Sequence, residues 1–226
     1  MPLREARGNM YSWVTHTWNT VKGKCPHDCC YCYMKKWGEQ KPMRLDESEF
    51  NTDLKSGNII FVGSSVDLFA SDVPFEWIEK TLNHCKKHDN DYLFQTKNPW
   101  AFLEIAKDNP SLFPEKVLLC TTIESNRYYY PNMGNTPFPQ QRSLAMYLIP
   151  VSYRKYVTIE PIMDFDLDEL VKLIKVINPV QVNIGADSQG HEMEEPTKEK
   201  VLSLIEELEK FTIIDSKNNL GRILNK

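Results

Sequence analysis

The sequence predicts an α/β fold in which six or seven parallel strands, joined by helical crossovers, form an open or closed barrel. Three observations predict it. Short runs rich in Val, Ile, Tyr and Thr recur along the chain. Amphipathic helix patterns lie between them. The two kinds of segment alternate in a regular order, as parallel strands joined by crossovers require.

The strand runs are "MYSWVTH" (Met10 to His16), "NIIFVGS" (Asn58 to Ser64), "YLFQTK" (Tyr92 to Lys97) and "VLLCTT" (Val117 to Thr122). After these come "KYVTIE" (Lys155 to Glu160), "VQVNIGA" (Val180 to Ala186) and "FTIID" (Phe211 to Asp215). Between strands, "SDVPFEWIEKTLNHCKKH" reads as a helix with Asp72 as N-cap, Pro74 near the first turn, and Phe75, Ile78 and Leu82 on its apolar face. "DLDELVKLIKVINP" carries Leu167, Leu170, Leu173, Ile174 and Ile177 on one face, and Pro179 follows its end. "EPTKEKVLSLIEELEKF" has the same character. Alternation of this kind implies parallel strands. The irregular stretch from Ser125 to Pro139, "SNRYYYPNMGNTPFP", reads as a long loop, either functional or pinned by aromatic packing.

Nothing marks a domain boundary or a repeat, so residues 1–226 are expected to form one domain. The net charge of −4 gives no global basic field, so a polyanionic partner would need local patches. No apolar run approaches the roughly 18 residues of a membrane span. The N-terminal "MPLREARGNMYSW" lacks a signal peptide's apolar core, so a cytoplasmic location with reduced thiols is expected.

Polar residues collect at the predicted strand ends: Ser64, Ser65 and Asp67, then Lys97, then Thr122, Glu124 and Arg127, then Glu160, then Asn183 and Asp187. Cysteine is concentrated in "KGKCPHDCCYCYMKKW", which holds Cys25, Cys29, Cys30 and Cys32; Cys85 and Cys120 lie on a predicted helix and strand and read as buried hydrophobes. Cys25, Cys29 and Cys32 are spaced C-x3-C-x2-C. Three thiolates on one tight loop can converge on one face of an iron–sulfur cubane and leave its fourth iron open. Zinc, the alternative, needs four tetrahedral ligands, and a second cysteine pair is missing.

The C-x3-C-x-aromatic-C spacing after a first strand resembles the signature of the radical S-adenosylmethionine (SAM) superfamily. "YCY" (Tyr31, Cys32, Tyr33) resembles the spore photoproduct lyase branch. "TWNTVKGKCPHDCCYCY", "GSSVDLFASDVP", "FQTKNP", "TTIES" and "TIEPIMDF" follow in the order of an uncharacterised phage-associated radical SAM family distantly related to that lyase. The resemblance implies a partial (β/α)6-type TIM barrel in which Cys25, Cys29 and Cys32 hold a [4Fe–4S] cluster and SAM binds its unique iron. It places Tyr31 near the adenine, Lys97 on the SAM carboxylate, and Ser64 or Ser65 in contact with SAM. Thr122, Glu124 and Glu160 fall where ribose and methionine contacts occur in related barrels. Cys30 stands outside the spacing.

The implied activity is reductive cleavage of SAM to methionine and a 5′-deoxyadenosyl radical that abstracts hydrogen from a substrate. An electron donor such as flavodoxin or ferredoxin would serve it. Kinship with a DNA-repair lyase suggests a nucleotide or nucleic-acid substrate, with Tyr128, Tyr129 and Tyr130 for stacking and Lys22, Lys24, Lys35 and Lys36 for phosphates. The sequence departs from the lyase in one respect. "VGSSVDLF" holds no cysteine at the second strand's end, where the lyase keeps its hydrogen donor. The rival readings are an iron–sulfur electron carrier or sensor without SAM chemistry, and a zinc-stabilised nucleic-acid-binding module.

Overall fold

The computed structural model describes residues 2–225. Its centre is an eight-stranded sheet built from β1 (Arg4–Glu5), β2 (His16–Trp18), β5 (Ile59–Val62), β6 (Asp91–Thr96), β7 (Val117–Thr122), β8 (Arg154–Ile159), β9 (Gln181–Ile184) and β10 (Ile213–Ser216), in that spatial order. From β2 to β10 every pairing is parallel, and only β1 runs antiparallel, against β2. A hairpin of β3 (Val21–Lys22) and β4 (Arg44–Leu45) brackets the cysteine loop. The helices are α1 (Phe75–Cys85), α2 (Trp100–Asp108), α3 (Pro139–Leu148), α4 (Leu167–Ile177), α5 (Lys198–Glu209) and the short α6 (Gly221–Leu224). This is the parallel sheet that the alternation of patterns implies, left open as in the partial barrel of the resemblance. No described helix is long and apolar enough to cross a membrane.

Strand alternation divides the apolar residues between two faces. Ile60, Val62, Tyr92, Phe94, Leu119, Val157, Ile159, Val182 and Ile184 join the main core, together with Ile78 and Leu82 of α1, Leu170 and Ile174 of α4, and Val201 and Leu204 of α5. The other face, Phe61, Leu93, Leu118 and Cys120, forms a second core with Tyr11 and Val14. The N-terminal segment therefore fills the concave side of the sheet. The sequence reading made Met10 to His16 a strand. Instead only His16–Trp18 pairs, because the aromatic and apolar residues before it pack into the barrel as a plug. Tyr11 anchors that plug: its hydroxyl donates to Gln95 Oε1 (2.7 Å) and pairs with Thr158 Oγ1 (2.7 Å).

Further differences are local. Asp72 does not cap α1, which starts behind Pro74 with no side-chain cap, and Phe75 faces solvent. In α4, Leu170, Ile174 and Ile177 are buried, whereas Leu167 and Leu173 are only half-buried. Helices α2 and α3 were not expected from the sequence. Each begins at or just after a proline, and in each a short apolar face is interrupted by polar residues.

If Tyr11 is the plug's anchor, Tyr11→Ala should cost about 3–5 kcal/mol of unfolding free energy, the range for emptying a buried aromatic site. Tyr11→Phe, which keeps the ring and loses the hydroxyl, should cost about 1 kcal/mol. Chemical denaturation of the two variants checks both values. Equal, small losses would mean that the segment does not plug the sheet.

Candidate active site

The alternation that turns Leu93 and Gln95 to the inner face carries on to Lys97 beyond β6. Likewise Leu118 and Cys120 lead to Thr122 and Glu124, and Tyr156 and Thr158 lead to Glu160. Four residues singled out from the sequence thus share the mouth at the strands' C-terminal ends. Gln95 Nε2 donates to Thr122 Oγ1 (3.1 Å) beneath them.

Glu124 is completely buried. Its Oε2 accepts from Arg142 Nη1 at 2.6 Å, and its Oε1 receives both Lys97 Nζ and the Tyr31 hydroxyl. Burial alone would raise this carboxyl; the Arg142 guanidinium and Lys97 ammonium outweigh it and hold Glu124 well below the usual carboxylate range. Arg142, also fully buried, spends its other donors on Thr122 O (2.8 Å), Pro137 O (2.7 Å) and Thr136 Oγ1 (3.0 Å). The Tyr31 ring lies under Lys97 Nζ, 5.1 Å from it. Burial, and then Glu124, push the Tyr31 phenol well above its ordinary value.

The cysteine loop runs between β3 and the one-turn helix Tyr33–Trp37, and two clamps hold it over this mouth. The first is Asp67. Its Oδ2 pairs with His27 Nε2 (2.8 Å) and accepts from Thr96 Oγ1 (2.9 Å) and Lys97 N (2.8 Å), joining the loop to the end of β6. The second is the long loop after β7. Cys30 N donates to Asn132 O (2.9 Å), Asn135 N to His27 O (2.7 Å), and Cys29 Sγ to Met133 O (3.4 Å). Gly134, at φ +60°, lies so close that a Cβ there would sit 2.1 Å from His27 O. The "NRYYYPNMGN" loop is thus a brace for the cysteines.

All four loop cysteines are free thiols. Burial pushes Cys25 up to about 12, with Asp67 adding to the effect. Burial also raises Cys29, against the opposing pull of Lys97. Among the described residues no three His, Cys, Asp or Glu side chains gather around a single-ion site. A cubane instead takes its donors at separate iron corners, and three free thiols on one braced loop fit that chemistry. Binding it would displace the thiol protons. Ser65 Oγ adds to the fit, because it is buried with no hydrogen-bond partner among the described residues. Ser64, by contrast, is satisfied by the Asn19 side chain at 3.1 Å.

Glu160, at the same mouth, already has three partners, accepting from Lys217 Nζ (2.6 Å), Asn9 Nδ2 (2.8 Å) and Asn219 Nδ2 (3.1 Å). The three tyrosines are not equivalent. Tyr128 and Tyr129 turn their hydroxyls to Gly134 O (2.7 Å) and Asp164 O (2.8 Å), and Tyr130 alone is exposed, at 78%. The basic patch is half neutralised: Lys22 pairs with Glu49, and Lys24 and Lys35 share Asp28. His27, Arg142 and Lys217 are the functional-site residues that the sequence reading missed. His27 alone carried a signal, its place within the cysteine loop.

No curated protein matches the sequence. Among solved structures the fold is similar to spore photoproduct lyase. A cysteine-to-alanine mutant of that enzyme superposes with a TM-score of 0.63 at 12% identity, covering 94% of this chain and 80% of that chain. A cysteine-to-serine mutant gives 0.62 at 12% identity, with 93% and 80% covered. A double mutant with bound AdoMet and dinucleoside spore photoproduct gives 0.55 at 13% identity, with 93% and 66% covered. Identities this low establish likeness of fold. Residues 9–207 match the family model described as "Protein of unknown function (DUF5131)". The chain belongs to the DUF5131 family.

Proposed function

We propose that the protein is a radical SAM enzyme acting on a nucleotide-like substrate. The observation that carries this reading is the position of the C-x3-C-x2-C loop, braced over the C-terminal mouth of a parallel sheet resembling that of spore photoproduct lyase. In this reading Cys25, Cys29 and Cys32 hold a [4Fe–4S] cluster, and SAM occupies the mouth beside it. When bound, these cofactors supply one-electron cleavage of SAM and a 5′-deoxyadenosyl radical that abstracts hydrogen from substrate.

The chain's own residues bind and orient. Lys97, half-free above Glu124, offers its ammonium to the SAM carboxylate, and Ser65 Oγ offers an unused hydrogen bond. Tyr31 closes the floor of the site and excludes water. Thr122 and Glu160 stand at the same mouth for ribose and methionine contacts, Glu160 held in place by Lys217 and Asn219. The nucleotide preference rests on the dinucleoside bound in a structural neighbour and on the exposed Tyr130 ring. Cys30, half-buried and outside the ligand spacing, is not needed for the cluster.

Dithionite-reduced, cluster-loaded protein should convert SAM to methionine and 5′-deoxyadenosine, slowly without substrate and faster with the right nucleotide or oligonucleotide. An iron–sulfur carrier or sensor would bind no SAM and release no 5′-deoxyadenosine. Cys25→Ala, Cys29→Ala and Cys32→Ala should each abolish the absorbance of the reconstituted centre, while Cys30→Ala keeps most of it. Loss in the Cys30 variant with retention in the Cys29 variant would overturn the ligand set. Lys97→Ala should weaken SAM binding by about 1.5–3 kcal/mol, the range for a hydrogen bond to a charged group. That is roughly tenfold to a hundredfold by calorimetry. An unchanged affinity would reduce Lys97 to a structural partner of Glu124.

A further inference from the structure

The loop after β9 carries a His–Asp pair that the cofactor reading leaves unused. Asp187 is almost fully buried. Its Oδ1 accepts from Gln189 N (3.1 Å) and pairs with His191 Nδ1 (2.8 Å), while its Oδ2 receives His191 N. Burial would raise this carboxyl, but the imidazole and the two backbone N–H groups prevail and lower it. An ionised carboxylate only accepts, so Nδ1 of the neutral ring carries the hydrogen and Nε2 keeps its lone pair. That nitrogen has no hydrogen-bond partner among the described residues. A loop tie would need only the two backbone bonds; the ring bond is additional.

The pair belongs to the mouth. Met193, two residues on, packs with Cys29, Tyr31, Met133 and Met163. Asp164 N holds Glu194 O at 2.8 Å. Behind the pair, Arg222 binds Glu195 and donates to Asp187 O at 3.1 Å. Arg222 and Glu195 are thus charged groups beside the pair, and Glu192 and Glu194 flank the ring in sequence.

We propose that His191, oriented by Asp187, is the proton acceptor of this mouth for a substrate carrying an O–H or N–H group. As the Nε2–H bond forms, the substrate's O–H or N–H bond breaks and its electron pair stays on the substrate. Asp187 steadies the resulting imidazolium. The inference rests on the mouth being the reactive site, but it does not require the cluster.

The test is acylation of the full chain by diethyl pyrocarbonate across pH, with each histidine's adduct quantified by mass spectrometry. His16 and His88 are half-buried like His191 and serve as internal standards. His191 should react roughly tenfold faster than either, and Asp187→Asn should slow it by about fivefold or more while leaving His16 unchanged. Equal rates at the three histidines, or no response to Asp187→Asn, would overturn the proposal. Nitrogen-15 spectra of the unsubstituted protein guard against a misfolded variant. They should show Nδ1 protonated and Nε2 bare in the neutral ring, and the reverse tautomer would sink the idea. Cluster absorbance is read on the same preparations; its absence would defeat the cysteine assignment without touching this one.

Discussion

The mouth of the barrel depends on one buried carboxylate. Glu124, at the end of β7, touches α3 through Arg142, the end of β6 through Lys97 and the cysteine loop through Tyr31. A charge without solvent is tolerated only when its partners are complete, and removing one partner from such a pair typically costs about 3–5 kcal/mol. That penalty makes the arrangement all-or-none. The long loop closes it, since Thr136 and Pro137 occupy the Arg142 donors that Glu124 does not use.

The same carboxylate sets the electrostatics of the site. Arg142 and Lys97 together carry one positive charge more than Glu124 cancels. Arg142 is walled in, whereas Lys97 keeps 16% of its side chain in contact with solvent. The surplus is therefore presented to the mouth through Lys97. An anionic ligand arriving there need not displace Lys97 from Glu124, because an ammonium has three donors. A carboxylate end on a cofactor is what such a surplus attracts, while Cys29, buried and close enough to feel Lys97, shares the same local field.

Much of this was legible in the sequence, for physical reasons. A six-residue apolar run such as "VLLCTT" is short enough for a buried strand and too short for a helix, and β7 covers those six residues. Period-two alternation then forces Lys97, Glu124 and Glu160 onto one face once the strands are placed. The cysteine spacing is local and survives any fold. What stayed hidden depends on contacts across long stretches of chain. Arg142 looks like a surface arginine on a short helix, and only Glu124, 18 residues away, makes it a buried one. The Met10 to Val14 segment has strand-like composition, yet tertiary packing overrides it, because the concave face needs a filling and Tyr11 supplies it. Nor does the tyrosine triplet reveal in sequence that two of its hydroxyls shape the brace.

The open sheet raises a last question of mechanics, because β1 and β10 are edges that do not meet. A barrel with a gap would hold its mouth loosely, and side chains take over where backbone pairing stops. Glu160 collects Asn9 from the N-terminal plug and Lys217 and Asn219 from beyond β10, so both edges are tied to the middle of the sheet. Lys217 also lies 4.6 Å from the centre of the Tyr11 ring, a cation–π contact that joins the tie to the plug. Gly185 leaves room for this, since a Cβ there would come within 2.7 Å of Glu160 Oε1. From the same C-terminal segment Arg222 reaches Glu195 and the Asp187 carbonyl, so the tie continues into the loop that carries His191. The width of the mouth and the placement of His191 are in this way set by one chain of contacts, from the plug through Glu160 to the C-terminal turn.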